Sequence, residues 1–169
     1  MSLREIITFP DTVLVSVADP VEKINHEIIV LLNDMAETMY ANEGVGLAGN
    51  QVGVLKRVLV LDVSSAEPST GLIKAINPEI VSSFGKVVRE EGCLSLPDVK
   101  EEIERPESVV VKYTNESGEE IEMNCDGLLA RAFQHEIDHL DGHLLLDHLS
   151  TLKRGLYKRK LKKAKKEKM

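Results

Sequence analysis

His135-Glu136-Ile137-Asp138-His139 sets two imidazoles four residues apart, with a carboxylate beside the first. On a helix, residues at that spacing stand one turn apart on one face, so both rings can hold a single metal ion while Glu136 projects toward a water on it. This is the pattern of a hydrolytic metal centre, in which the ion acidifies water and the carboxylate moves its proton. The bland alternative is two histidines that happen to share a helix surface. A catalytic centre needs about three protein ligands and one open position. Cys93, in Glu91-Gly92-Cys93-Leu94-Ser95-Leu96-Pro97, is the candidate third ligand, with Gly92 permitting close backbone approach and Pro97 ending the strand beyond it. Cys125 competes, but it stands just before the helix, about three turns from the histidines, and reads as a core or helix-start thiol. Gly44-Val45-Gly46-Leu47-Ala48-Gly49-Asn50-Gln51 lets backbone pass close to a ligand, and the Gln51 amide can donate to an oxyanion. Taken alone, that segment is also a plain Gly-rich turn.

The element that must carry the histidines begins at Asp126, whose carboxylate is a natural cap, and closes at Gly142. Along it Leu129, Phe133, Ile137 and Leu140 form one apolar stripe, while Arg131, Gln134, Asp138 and Asp141 fall on the wettable side. His135 and His139 lie with Leu128 and Ala132 at the flank of the buried arc, so the helix is expected to be enclosed on most sides. An earlier amphipathic helix is marked by Ile24, Ile28, Leu31, Leu32, Met35 and Met39, with Gly44 as its stop. Between the helices the chain reads as strands. Val58 to Leu61 is a buried run, Ala75 to Pro78 a strand end, and Glu79 to Phe84 and Lys86 to Val88 two strands turning at Gly85. Val109 to Tyr113 and Glu120 to Met123 flank a hairpin turn at Asn115-Glu116-Ser117-Gly118. Without βαβ alternation, the expectation is an α+β fold: short antiparallel sheets around the enclosed metal-binding helix, with an N-terminal amphipathic helix and a C-terminal helix.

The 169 residues suffice for one domain with a real core, and 43% hydrophobic with 29% charged residues is a globular profile. No apolar run is long enough to span a membrane, and Met1 to Glu5 lacks a signal-peptide pattern, so a cytoplasmic protein is expected. Two cysteines in a reducing compartment point to thiols or a metal ligand rather than a disulfide. The net charge of −7 divides into an acidic body over 1–150 and a basic tail over 151–169, which holds ten of the 21 Lys and Arg and one acid, Glu167. The body excludes a general nucleic-acid binder; the tail is either a basic patch that touches RNA or a solvated, partly frayed helix.

Gly44 to Gln51, Glu91 to Ser95 and Gln134 to His139 together, and in this order, resemble the three motifs of the peptide deformylases: Gly-x-Gly-Leu-Ala-Ala-x-Gln, Glu-Gly-Cys-Leu-Ser and Gln-His-Glu-x-Asp-His. The resemblance runs from Pro10 to about Leu149, and departs at Gly49, where the family usually has Ala and the pocket's tightness is in question. It implies a metal-dependent hydrolase that removes the formyl group from N-terminal formylmethionine of nascent chains, with metal-bound water as nucleophile. It implies Cys93, His135 and His139 as ligands of one divalent ion, Fe(II) in the cell, with Zn, Ni or Co as alternatives in a purified sample. Glu136 would move the proton, and the Gln51 amide and Leu94 N–H would receive the formyl oxygen. The substrate would pair as an added strand near Gly46 and Gly92, its Met side chain near Val45, Ala132 and His135. Formyl-Met nascent peptides are the partners implied, with a ribosome contact through the tail, no membrane and no DNA. Residues 1–150 would form the catalytic deformylase domain and 151–169 a basic helical tail. Two rivals remain at this stage. One is a peptidase that cuts internal bonds; the other is a structural-zinc protein, which would need a fourth ligand from His143, His148 or Cys125.

Overall fold

The computed structural model describes residues 2–168. An extended start, broken by a short 3₁₀ turn at Thr12–Val15, leads into α1 (His26–Ala41). Then come β1 (Gly46–Ala48), β2 (Val58–Asp62), β3 (Leu72–Phe84), β4 (Val87–Cys93), β5 (Leu96–Arg105), β6 (Ser108–Thr114) and β7 (Glu120–Cys125). The chain closes with α2 (Gly127–Leu140), a 3₁₀ turn at Leu145–His148 and α3 (Thr151–Lys168). The α+β expectation holds: an antiparallel five-stranded sheet of order β1-β2-β3-β6-β7 and a separate β4-β5 hairpin combine with three helices, α2 packing on the five-stranded sheet.

The Val58 to Leu61 run is apolar throughout because β2 is buried on both faces. Leu59 and Leu61 pack in the cluster around α2, and Val58 and Val60 in the cluster around α1. The α2 stripe of Leu129, Phe133, Ile137 and Leu140 is buried as its spacing predicts. A third cluster lies beneath β5, where Leu96, Val99 and Ile103 meet Leu144, Leu145, Leu146 and Leu161 of α3.

Four local expectations are revised. Asp126 is the N-cap residue of α2 by position, but its side chain makes no capping hydrogen bond. The left-handed residue after α1 is Glu43, at φ 56°, and Gly44 instead donates its N–H to Met39 O, closing the last turn. Pro97 does not end a strand; it is the second residue of β5. Gly85 does not turn one hairpin, since β3 pairs with β6 while β4 pairs with β5, so the turn carries the chain from one sheet to the other.

β3 also does not end at Pro78. Pro78 has no N–H for the ladder, and the register with β6 shifts between Ile76 and Glu79. Asn77 absorbs the shift at φ 51° and ties the bulge to the N-terminal segment: Val21 N–H donates to its Oδ1, and its Nδ2 donates to Val21 O, both at 2.8 Å. Urea unfolding of Asn77→Ala should therefore show a loss of about 1–3 kcal/mol, because both Val21 backbone groups lose their partner; an unchanged midpoint would show that the bulge holds without the side chain.

Candidate metal centre and active site

Three elements distant in sequence converge on one cavity of about 600 Å³. The 3₁₀ turn Gly49–Val52 after β1 carries Gln51, the end of β4 carries Cys93, and α2 carries His135, Glu136 and His139. The turn is fixed by its own amide: Gln51 Oε1 accepts from Ala48 N–H at 2.9 Å, so Nε2 points outward, 3.1 Å from Ser95 Oγ and 3.6 Å from Cys93 Sγ. Leu94 and Ser95 form the tight turn that joins β4 to β5, and Leu94 lines the cavity. Val45, Gly46, Gly92, Ala132 and His135, the expected substrate contacts, all line it as well.

The ligand atoms of Cys93, His135 and His139 lie within 4.8 Å of one another, the one group of this kind among the described residues. Cys93 Sγ is 3.3 Å from His139 Nε2, which is 3.3 Å from His135 Nε2. Two bonds of about 2.0–2.1 Å to nitrogen at the tetrahedral angle separate the nitrogens by about 3.3–3.4 Å, and one nitrogen with one sulfur at about 2.3 Å gives about 3.5 Å. The two contacts that His139 makes are therefore close to the edge lengths of a tetrahedral site, and a thiolate with two imidazoles suits Zn, Fe, Co or Ni. Cys125 is buried in the α2 cluster, and burial pushes its thiol up to about 11. His143 is exposed, and His148 is hydrogen-bonded to Asp138; neither joins the group. The fourth ligand that a structural zinc would need is thus absent among the described residues.

Electrostatics match the geometry. Burial raises the Cys93 thiol, but the His139 and His135 imidazoles outweigh it and hold it well below the usual thiol range. For His135 burial acts downward, and Glu136, Cys93 and Glu91 together carry it well above the usual imidazole value. Burial lifts Glu136, and the two imidazoles offset only part of the rise. Glu136 Oε1 is buried without a partner, and its carboxylate lies against Gly46, where an added Cβ would stand 2.5 Å from Oε2. A buried carboxylate with one open oxygen and an elevated proton affinity is suited to general acid–base work.

Several residues have parts in the site that spacing did not assign. Gln134 is buried and donates to Pro106 O and Ala130 O; Asp138 is partly buried and paired with Arg105; Arg131 is half-buried and lines the cavity. Of the supposed wettable face only Asp141 is exposed. Arg105, 4% exposed, forks onto Glu91 with Nε to Oε2 at 2.7 Å and Nη2 to Oε1 at 2.9 Å. Glu91 Oε1 then faces His135 Nδ1 at 3.2 Å, which leaves Nε2 for the ligand position. The legible signal was strand alternation, since Arg105 falls on the face of β5 that also carries Ile103. Gly49 does not line the cavity: a Cβ there would meet the carbonyls of Val54 and Lys56 at 2.7 Å, so backbone fills the space that a methyl would need and the pocket wall is unaffected.

The family model for polypeptide deformylase matches residues 3–155. A peptide deformylase of Thermodesulfovibrio yellowstonii is 51% identical, with 96% of this chain and 98% of that protein covered. Among solved structures, a peptide deformylase from Legionella pneumophila superposes with a TM-score of 0.90 at 44% identity, covering 98% of this chain and 97% of its own. One from Ehrlichia chaffeensis, in complex with actinonin, reaches 0.92 at 44% identity, covering 97% and 98%. A family-model match over residues 3–155 and a relative 51% identical over nearly the whole length place this chain in the polypeptide deformylase family.

Proposed function

We propose that this protein hydrolyses the N-terminal formyl group of formylmethionyl nascent chains in the cytoplasm, releasing formate and a free Met amine. The observation that supports it most is the convergence of Cys93, His135 and His139, beside a buried Glu136 carboxylate with an open oxygen, at the cavity lined by Cys93, His135, Glu136 and the Gln51 amide. When bound, one divalent ion, Fe(II) in the cell, supplies the Lewis acid that polarises the formyl carbonyl and makes water acidic enough to attack near neutral pH. Cys93 Sγ and the Nε2 atoms of His135 and His139 hold it. Glu136 takes the proton of the attacking water and delivers it to the leaving nitrogen as the C–N bond breaks. Gln51 Nε2 and the Leu94 N–H donate to the formyl oxygen as charge gathers on it. Val45, Gly46, Gly92, Ala132 and the His135 ring form the substrate contacts, the main chain adding as a strand.

Residues 1–150 act as the catalytic domain and α3 is its basic appendage. α3 is helical through Lys168 and packs on one side: Leu161 is buried, Tyr157 Oη donates to Glu101 at 2.8 Å, and Lys165 Nζ donates to Thr8 O at 2.9 Å. Arg159, Lys162, Lys163 and Lys166 remain exposed, a charged surface suited to ribosomal RNA.

Formate release from formyl-Met-Ala-Ser by anaerobically prepared Fe(II) or Ni(II) protein should fall about 10²–10⁴-fold in Glu136→Gln while the metal content stays at one ion per chain; parental turnover in that variant would refute the assigned proton carrier. Cys93→Ala should lose both the ion and the activity on gel filtration against chelator, whereas a variant that retains one tightly held ion would require a different third ligand. Reversal of Arg159, Lys162, Lys163 and Lys166 to Glu should abolish salt-sensitive co-sedimentation with ribosomes without changing hydrolysis of the free peptide, and undiminished pelleting would remove the tail from the proposal.

A further inference from the structure

We propose that His148, outside the cavity, is a positioning residue for the metal centre: it holds Asp138, which holds Arg105 on Glu91, which fixes the ring of His135. The proposal rests on the assignment of Cys93, His135 and His139 as ligands. The path is continuous. His148 Nε2 lies 2.9 Å from Asp138 Oδ2, the same oxygen that accepts from Arg105 Nη1 at 3.0 Å. Arg105 then makes its two-pronged pair with Glu91, whose Oε1 faces His135 Nδ1 at 3.2 Å.

The far end of this chain of contacts is where it can fail. Arg105 and Glu91 are only 4% and 8% exposed, whereas Asp138 is 27% exposed and can turn to solvent. A carboxylate at the surface is free to rotate toward solvent unless something holds it, and Arg105 alone grips it through one nitrogen. His148 supplies the second grip and sets Oδ2 between the two donors. If Oδ2 turns away, Arg105 Nη1 is left buried without an acceptor, and the guanidinium must tilt to find one. Its fork on Glu91 is rigid and planar, so a tilt is transmitted to both Glu91 oxygens. One of those oxygens is the acceptor that orients His135 and keeps its proton on Nδ1.

His148 is itself well placed for the task. Its 3₁₀ turn begins with Leu145 and Leu146, both buried in the third cluster, and Arg154 of α3 donates to Leu146 O at 3.2 Å and to Leu149 O at 3.3 Å. The imidazole therefore stands on a pinned segment, and its contact with Asp138 joins the C-terminal part of the chain to the ligand set. An ordinary surface ion pair would predict almost nothing when removed. The positioning role predicts a change at the metal.

The test uses the full chain loaded with Co(II), reading both the cobalt absorption bands and the rate of metal loss to excess chelator, with urea unfolding as the check on folding. Removal of a contact directly behind a metal-bound His typically weakens metal binding about 10–100-fold; from three contacts further out, His148→Phe should speed metal loss about three- to tenfold and shift the cobalt bands. Phe keeps the ring volume and lacks the donor. His148→Gln, which can still donate to Asp138, should return to within about twofold of the parent, and His143→Ala on the same loop should match it. In an Asp138→Asn background the His148→Phe change should have no further effect. Unchanged spectrum and loss rate in His148→Phe, a Gln variant as leaky as Phe, or an undiminished effect in the Asn background would each overturn the proposal. A parent that binds no cobalt would overturn it together with the ligand assignment, whereas a parent that holds cobalt but releases no formate would refute only the proposed activity.

Discussion

A guanidinium buried away from water is tolerable only when it is fully paired, and the arrangement of this site depends on how Arg105 meets that condition. β4 and β5 form a hairpin apart from the five-stranded sheet, so the main ladder does not fix where Cys93 stands. Arg105, at the end of β5, answers to Glu91 on the neighbouring strand and to Asp138 on α2, and so locks hairpin and helix into one register. Removing one member of such a buried pair commonly costs about 3–5 kcal/mol, while the pair as a whole contributes much less to net stability. Its value lies in geometry: it fixes the spacing of Cys93 and the two imidazoles, the group whose donor atoms lie within 4.8 Å of one another.

The charges around that lock explain why the pocket suits a cation. Cys93, whose thiol the imidazoles hold well below its usual range, Glu91, lowered by His135 and Arg105, and the Glu136 carboxyl gather acidic groups within a few contacts of one another. Arg105 neutralises the outer side of the cluster, against Glu91 and Asp138. On the inner side the two imidazole Nε2 atoms face each other across 3.3 Å, where at most one can donate to the other. A divalent ion held there would satisfy both rings and the thiol sulfur at once, and would lower the cost of placing Glu136 in an enclosed position beside them.

What was legible in the sequence follows from the range of the interactions involved. The shared face of His135 and His139 on α2, its apolar stripe, the doubly buried β2 and the Asn115–Gly118 hairpin are all set by periodicity or by a local turn, and each stands where spacing places it. Cys93 was reached through its motif, because nothing local says that the end of β4 folds back onto α2. Partnerships made by tertiary contact were not legible. β4 pairs forward with β5 and not back with β3, and Asn77 reaches Val21 across 56 residues. The acids and amides on the supposed wet side of α2 are drawn inward by Pro106 O and Arg105. A helix wheel separates apolar from polar positions; it cannot distinguish a polar group in water from one paired inside.

Gly49 shows the same limit from the opposite side. Compared with the family's usual Ala, it reads as a lost methyl and a looser pocket. In the fold, the space that a methyl would need is occupied by the carbonyls of Val54 and Lys56, on the side of the turn away from the cavity. Gln51 is instead held by Ala48 N–H at 2.9 Å, and Ile7 N–H donates to Gln51 O at 2.8 Å. The Gln51 amide that lines the cavity is thus positioned by backbone from two directions, without a contribution from the side chain that differs. Whether such a departure matters depends on which atoms lie against it, and here they are the backbone oxygens of Val54 and Lys56, which would have to shift to admit a methyl.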